Sequence, residues 1–236
     1  MPLSPGASAM PRPMLTPSFR SLSCLFLLTF LLASSDAVAE EAIAEGWIEM
    51  FNGKDLGGWK ANPEHPESFR VEDGELVVDG PRCHLFWIGD PADPDDETFT
   101  NFHWHAKVKT MPRANSGLYF HTEYQDSGWP AKGYECQVNQ THGDRKKTGG
   151  LYGVADVLDD SPVEDGQWYD YDIIVDGRHV VVKINGEVTT DWTEPEDWQP
   201  PARMPGRKLS SGTFAIQAHD PDSVIHYKDL RVRRLP

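Results

Sequence analysis

The chain has 236 residues, with 37 acidic side chains against 22 Lys or Arg and a formal charge of −15. Hydrophobic residues at 39% and charged residues at 25% are globular proportions, which excludes wholesale disorder. The acidity argues against nucleic acid and anionic membrane as partners, because phosphate binding draws its energy from clustered Lys and Arg.

Residues 1–39 read as an export signal. Arg12 and Arg20 precede the apolar run Leu22–Leu32, which is far shorter than the ~20 residues of a membrane span. Ala37-Val38-Ala39 then offers small residues at the first and third positions, as signal peptidase requires, so cleavage is expected before Glu40. Residues 40–236 are expected to form one exported domain, periplasmic or extracellular, with no membrane span after cleavage. Two cysteines remain, Cys83 and Cys136, and both a disulfide and buried free thiols stay open.

The rest reads as β almost throughout. Asp73-Gly74, Asp176-Gly177 and Asn185-Gly186 are hairpin turns, since both residues of each pair tolerate positive φ. The first joins strands at 69–72 and 75–78. The other two make a meander of 169–175, 179–184 and 187–192. Further strands are expected at 84–88, 101–110, 116–122, 134–139, 213–219 and 224–233. The acidic segment 89–97, the connectors 125–133 and 140–150, and the Pro-rich 193–210 read as loops. Short strands with turn chemistry between them and no sustained helical periodicity predict an all-β sandwich or jelly roll.

Strand alternation places residues i and i+2 on one face. Leu118 and Phe120 then oppose Tyr119 and His121. Tyr134, Cys136 and Val138 oppose Glu135 and Gln137, and Phe214, Ile216 and Ala218 oppose Gln217 and His219. If those three strands are neighbours, a carboxylate, two imidazoles and two amides line one groove, a set able to hydrogen-bond sugar hydroxyls and move protons. Asn115 opens the first of these strands, Tyr152 lies in Gly149–Val154, and Trp129 in an exposed-type loop offers a sugar-stacking ring. His103 and His105 share a strand face, but the lysines beyond them oppose a cation. The acidic run from Asp90 to Glu97 lacks the EF-hand pattern. Gly-x-Ser-x-Gly and phosphate-loop motifs are absent.

The ordered series GWIEMFNGKDLGGWK (46–60), FRVEDGELVVDG, NSGLYFH (115–121), GYECQV (133–138), GGLYGV (149–154), QWYDYDIIVDG and FAIQAHD resembles the 3-keto-disaccharide hydrolase domain family across 46–235. Two departures stand out: His121 replaces a frequent Arg, and Gln217-Ala218-His219 replaces a common Gln-Asp-His run. The resemblance implies a concanavalin A-like jelly roll of two curved antiparallel sheets. It also implies cleavage of a glycoside already oxidised at C3, by C2 proton abstraction, elimination and hydration. Catalytic candidates are then Glu135, His219 and His121, with Asn115, Tyr119, Gln137, Gln217, Tyr152 and Trp129 binding substrate. A divalent metal ion is a possible cofactor. The expected partners are a small oxidised disaccharide or glycoside and, upstream, a sugar 3-oxidoreductase. The alternative is a non-catalytic carbohydrate-binding module on the same fold.

Overall fold

The structure is a computed structural model that describes residues 46–89 and 97–236. The expected export signal and residues 90–96 of the acidic run lie outside the described residues.

Two antiparallel sheets pack face to face. Strands are numbered in chain order. One sheet runs Glu187–Thr193 (β13), His179–Ile184 (β12), Tyr169–Asp176 (β11), Phe102–Thr110 (β6), Val224–Arg234 (β15), Glu75–Asp79 (β4) and Phe69–Glu72 (β3), with Trp47–Glu49 (β1) also paired to β15. The other runs Ala155–Leu158 (β10), Lys146–Leu151 (β9), Tyr134–Asn139 (β8), Asn115–Thr122 (β7), Thr213–Ala218 (β14), Cys83–Trp87 (β5) and Trp59–Ala61 (β2). This is an all-β jelly roll.

The period-2 pattern decides what each strand buries. In β11, Tyr169, Tyr171, Ile173 and Val175 turn inward while the residues between them are partly exposed. Between the sheets, the rings of Trp104 and Phe214 lie 4.6 Å apart and those of Phe102 and Phe214 4.9 Å. Burying such side chains is worth about 1.5–3 kcal/mol each. Hydroxyls of the first sheet cross this core to fix the second. Tyr171 donates to the Gln137 carbonyl at 3.0 Å, and Ser116 Oγ bridges Tyr227 Oη and the Gln217 carbonyl at 2.7 and 2.6 Å. The backbones carrying the candidate site are thereby held from behind.

The turn chemistry is as expected at Asp73-Gly74 and Asn185-Gly186, where all four φ values are positive. At the third hairpin the register differs. Asp176 pairs with His179, so the central pair is Gly177-Arg178, with glycine at the first position where a type II′ turn takes it. The segment 140–150 is not only a connector: its second half is β9, whose Lys-Lys-Thr-Gly-Gly opening has little strand propensity. Both cysteines are buried and free, and the Cys83 thiol lies 2.8 Å from Asn62 Oδ1.

In β7, β8 and β14 every residue is buried. The inner face meets the core. The outer face is covered by two loops, 123–133 and 194–212, and between them lies a pocket.

Candidate active site

The pocket encloses about 450 Å3. Its floor comes from Asn115 and Tyr119 on β7, Glu135 and Gln137 on β8, and Gln217 on β14, with His219 just past the strand end. Antiparallel register brings them together: Tyr119 lies opposite Glu135, and Gln137 opposite Gly117. Trp129 forms one wall, Arg203, Met204 and Arg207 another, and Asp144 and Tyr152 close the end.

Glu135 is the centre of the polar network. Its Oε2 accepts from Arg207 Nη2 at 2.9 Å, and its Oε1 accepts from Gln217 Nε2 at 3.0 Å. The Tyr119 hydroxyl also hydrogen-bonds to it, and Gln217 Nε2 reaches that hydroxyl at 2.8 Å. Burial raises the Glu135 carboxyl above the usual carboxylate range, against the pull of Arg207, Tyr119 and Gln217. The carboxylate crosses over Gly117, where an added Cβ would sit 2.6 Å from Oε1. Arg207 reaches the site because its loop packs backbone to backbone on the Trp129 loop. Gly133 N donates to Gly206 O at 3.0 Å, and a Cβ on Gly206 would overlap Ala131 O.

A second network lies at the Asn115 end. Gln137 Nε2 donates to Asn115 Oδ1 at 2.9 Å, and Asn115 Nδ2 reaches His142 Nδ1 at 3.2 Å. His219 Nδ1 bonds Asp220 Oδ2 at 2.7 Å, and Ser223 Oγ donates to the same oxygen at 2.9 Å. Burial acts to raise Asp220, but the bonds from His219 and Ser223 outweigh it and hold its carboxyl below the usual range. With Nδ1–H given to Asp220, the His219 Nε2 keeps its lone pair. At the closed end, the Tyr152 hydroxyl lies 3.4 Å from Asp144 Oδ2. Burial, then the Asp144 and Glu135 charges, push Tyr152 up to about 12, so it stays a donor.

His142, His219 and Asp220 place ligand-type atoms within 4.8 Å of one another, the residues a divalent ion would use. The hydrogen bonds do not fit that use. His142 Nδ1 accepts the backbone N–H of Asp144 at 3.1 Å, so the neutral ring carries its proton on Nε2, the nitrogen 3.9 Å from Asp220. A cation beside Asp220 would need that nitrogen unprotonated. The three groups form a carboxylate between two imidazoles.

The pocket gathers eight of the nine residues singled out from the sequence: Asn115, Tyr119, Trp129, Glu135, Gln137, Tyr152, Gln217 and His219. His121 is the exception, and its placement on the groove face is corrected. Its φ is +55°, which breaks the alternation and turns the ring against Phe102 and Phe120. Nε2–H donates to Thr100 O at 2.9 Å while Nδ1 accepts Ser210 N–H at 3.2 Å. Burial lowers its pKa to about 4, so the ring is a neutral tie between two loops. His103 and His105 both bond Asp172 Oδ1, at 2.8 and 2.9 Å, on the outer face of the other sheet.

Sequence reasoning missed Arg207, Asp144, His142 and Asp220. Arg207 lies in a loop without periodicity, and nothing local marks it. Asp220 adjoins His219 and was readable as an Asp–His pair.

Fold and pocket together define a jelly-roll protein whose sheet face carries a polar, partly aromatic cleft. A sequence match over residues 46–233 places the chain in the 3-keto-alpha-glucoside-1,2-lyase-like domain family, to which it belongs. Membership gives it a carbohydrate-related role. No curated protein matches the chain. Among solved structures, a candidate glycosyl hydrolase from Parabacteroides distasonis ATCC 8503 is similar at 24% identity and TM-score 0.70, covering 84% of this chain and 97% of its own. A Bacillus subtilis protein with a galectin-like fold is similar at 14% identity and TM-score 0.52, over 75% and 89% of the two chains. Bacillus licheniformis β-glucanase gives 10% identity and TM-score 0.51, over 80% and 97%. These likenesses define the fold. Among the described residues, no helix is long and apolar enough to cross a membrane.

Proposed function

We propose that the chain is an exported enzyme that cleaves 3-keto-glucosides by elimination and rehydration. The observation that carries this reading is the pairing of two differently prepared groups in one pocket. One is an imidazole held by Asp220 with Nε2 uncommitted; the other is a guanidinium held by Glu135.

A ketone at C3 acidifies the C2 proton. His219 Nε2 takes that proton, and the electron pair becomes a C2–C3 enediolate whose C3 oxygen is negative. Arg207, fixed by Glu135, stabilises that oxygen electrostatically. The enediolate then collapses, a C1–C2 double bond forms, and the C1–O bond breaks with its electron pair leaving on oxygen. Tyr152, kept protonated, donates a proton to the leaving oxygen and is recharged by solvent. Water adds at C1, His219 returns a proton to C2, and the net change is hydrolysis. Asn115, Gln137 and Gln217 orient hydroxyls. A sugar 3-oxidoreductase would supply the substrate.

A second reading rests on Asp144, a second carboxylate in the pocket. Direct hydrolysis of an unoxidised glycoside would use two carboxylates. One experiment separates the two. The chain is incubated in D2O with p-nitrophenyl α-glucoside and with its 3-keto derivative, each with and without EDTA. Release from the 3-keto substrate alone, with deuterium at C2 of the product, is expected in both arms. Release from the plain glucoside without C2 deuterium overturns the reading in favour of direct hydrolysis. Release from neither leaves a binding module. Loss of release in EDTA alone would overturn the metal-free assignment of His142 and His219. Export is checked by sequencing the mature N-terminus, expected at Glu40.

A further inference from the structure

The polar row on the outer face of the seven-stranded sheet does not end at the pocket. Gln217 lies opposite His84 on β5, so His84 continues the row one strand beyond the described floor. It is fully buried, and neither ring nitrogen has a hydrogen-bond partner. Buried polar groups are nearly always paired, and such an orphan calls for an absent partner. Burial keeps the ring neutral, pulling its pKa down to about 3.

Trp129 covers one side of it. The two rings lie 5.5 Å apart, edge to face, and Tyr119 closes another side at 5.5 Å. Trp129 itself is 44% exposed. It sits at the pocket rim, with Arg82 5.3 Å over the ring, the His219 ring 5.4 Å away, Gln125 Nε2 donating to its carbonyl at 3.0 Å, and the neighbouring Gly128 N–H donating to Glu64 at 2.9 Å. Beside His84, Phe86, Tyr119 and Ala215 form a small apolar cluster separate from the main core, with Tyr124 packed on it. An imidazole that offers one donor and one acceptor, next to aromatic surface, suits a pyranose with its hydroxyl edge and C–H face.

We propose that Trp129 is a movable cover over a second sugar subsite, with His84 as its polar floor beside Gln217, and that this subsite takes a further sugar ring of the substrate, on the side of the reacting ring away from Tyr152. The inference rests on the sugar-site reading above and extends it. It makes the enzyme selective for two-ring substrates.

The test uses calorimetry with two unoxidised probes, methyl α-glucoside and maltose, and NMR of the His84 ring. Maltose is expected to bind about tenfold more tightly than the one-ring probe and to shift the His84 signals. In His84→Phe that ratio should fall to near one. Trp129→Ala, at an exposed position, provides a variant that does not disturb the sheet. In it the His84 ring, still facing Glu64, Arg82 and His219, should take up its proton at a higher pH than in the parent. Equal affinities in the parent, His84 signals that do not move when maltose saturates, or a ring in Trp129→Ala that protonates at no higher pH than in the parent would each overturn the subsite. If the one-ring probe does not bind either, the sugar-site reading falls and the subsite falls with it.

Discussion

The Glu135 carboxylate and the Arg207 guanidinium lie 2.9 Å apart although 72 residues separate them, and each side chain is only 7% exposed. Two buried charges attract strongly but lose their hydration, so removing one partner is costlier than removing both. Arg207→Met is therefore expected to lower unfolding stability by about 3–5 kcal/mol at neutral pH. The double variant Glu135→Gln/Arg207→Met should recover most of that. Denaturant unfolding of the three proteins checks it, and a double variant as unstable as Arg207→Met would refute the pairing.

Glu135→Gln alone retains an oxygen for Arg207 but not the charge that holds it. Turnover of the 3-keto probe should fall steeply while the fold, seen by circular dichroism, persists. Retained turnover would remove the carboxylate from the mechanism.

In the proposed mechanism His219 and Asp220 act in series. His219→Ala should cost ~10²–10⁴ in kcat, the usual range for a lost general base. Asp220→Asn keeps a hydrogen-bond acceptor without the charge, so it should lose less in kcat than His219→Ala. Unchanged kcat in Asp220→Asn would show that the Asp220 charge does not support His219.

Gly117→Ala is the most specific probe of geometry. The new Cβ would lie 2.6 Å from Glu135 Oε1 and 2.9 Å from its Cγ. The carboxylate must shift, so kcat should drop well before the melting temperature does. Parallel loss of both would mean the strand, not the site, has been disturbed.

Acid should destabilise the protein through two buried imidazoles. In the folded chain His121 titrates near 4 and His84 near 3, against an ordinary 6.5. Above pH ~6.5 both folded and unfolded states hold neutral rings, and nothing is lost. Below it the unfolded chain takes up protons that the folded one refuses. Stability then falls by about 1.4 kcal/mol per pH unit per ring until the folded values are reached. Unfolding titrations between pH 7 and 4 should show this slope halved in His121→Gln.

Much of the fold was readable because its signals are local. Asn185-Gly186 demands positive φ, and the alternation in 134–138 and 214–218 separates core from cleft without any tertiary information. The same rule failed at His121, since one left-handed residue redirects a side chain and no pattern marks it. Arg207 and His84 were hidden for a different reason. Their meaning comes from partners on other strands and loops, Glu135 for one and Trp129 for the other, and long-range contact leaves no periodic trace.

The close approach of Gly206 to Ala131 has an evolutionary corollary. The two walls of the cleft lean on each other as well as on the sheet, so the guanidinium and the indole are not independently adjustable. A change of substrate that required a bulkier wall on one side would have to be matched on the other. Innovation in this cleft should therefore proceed by exchanging both loops together, with the strands beneath left as they are.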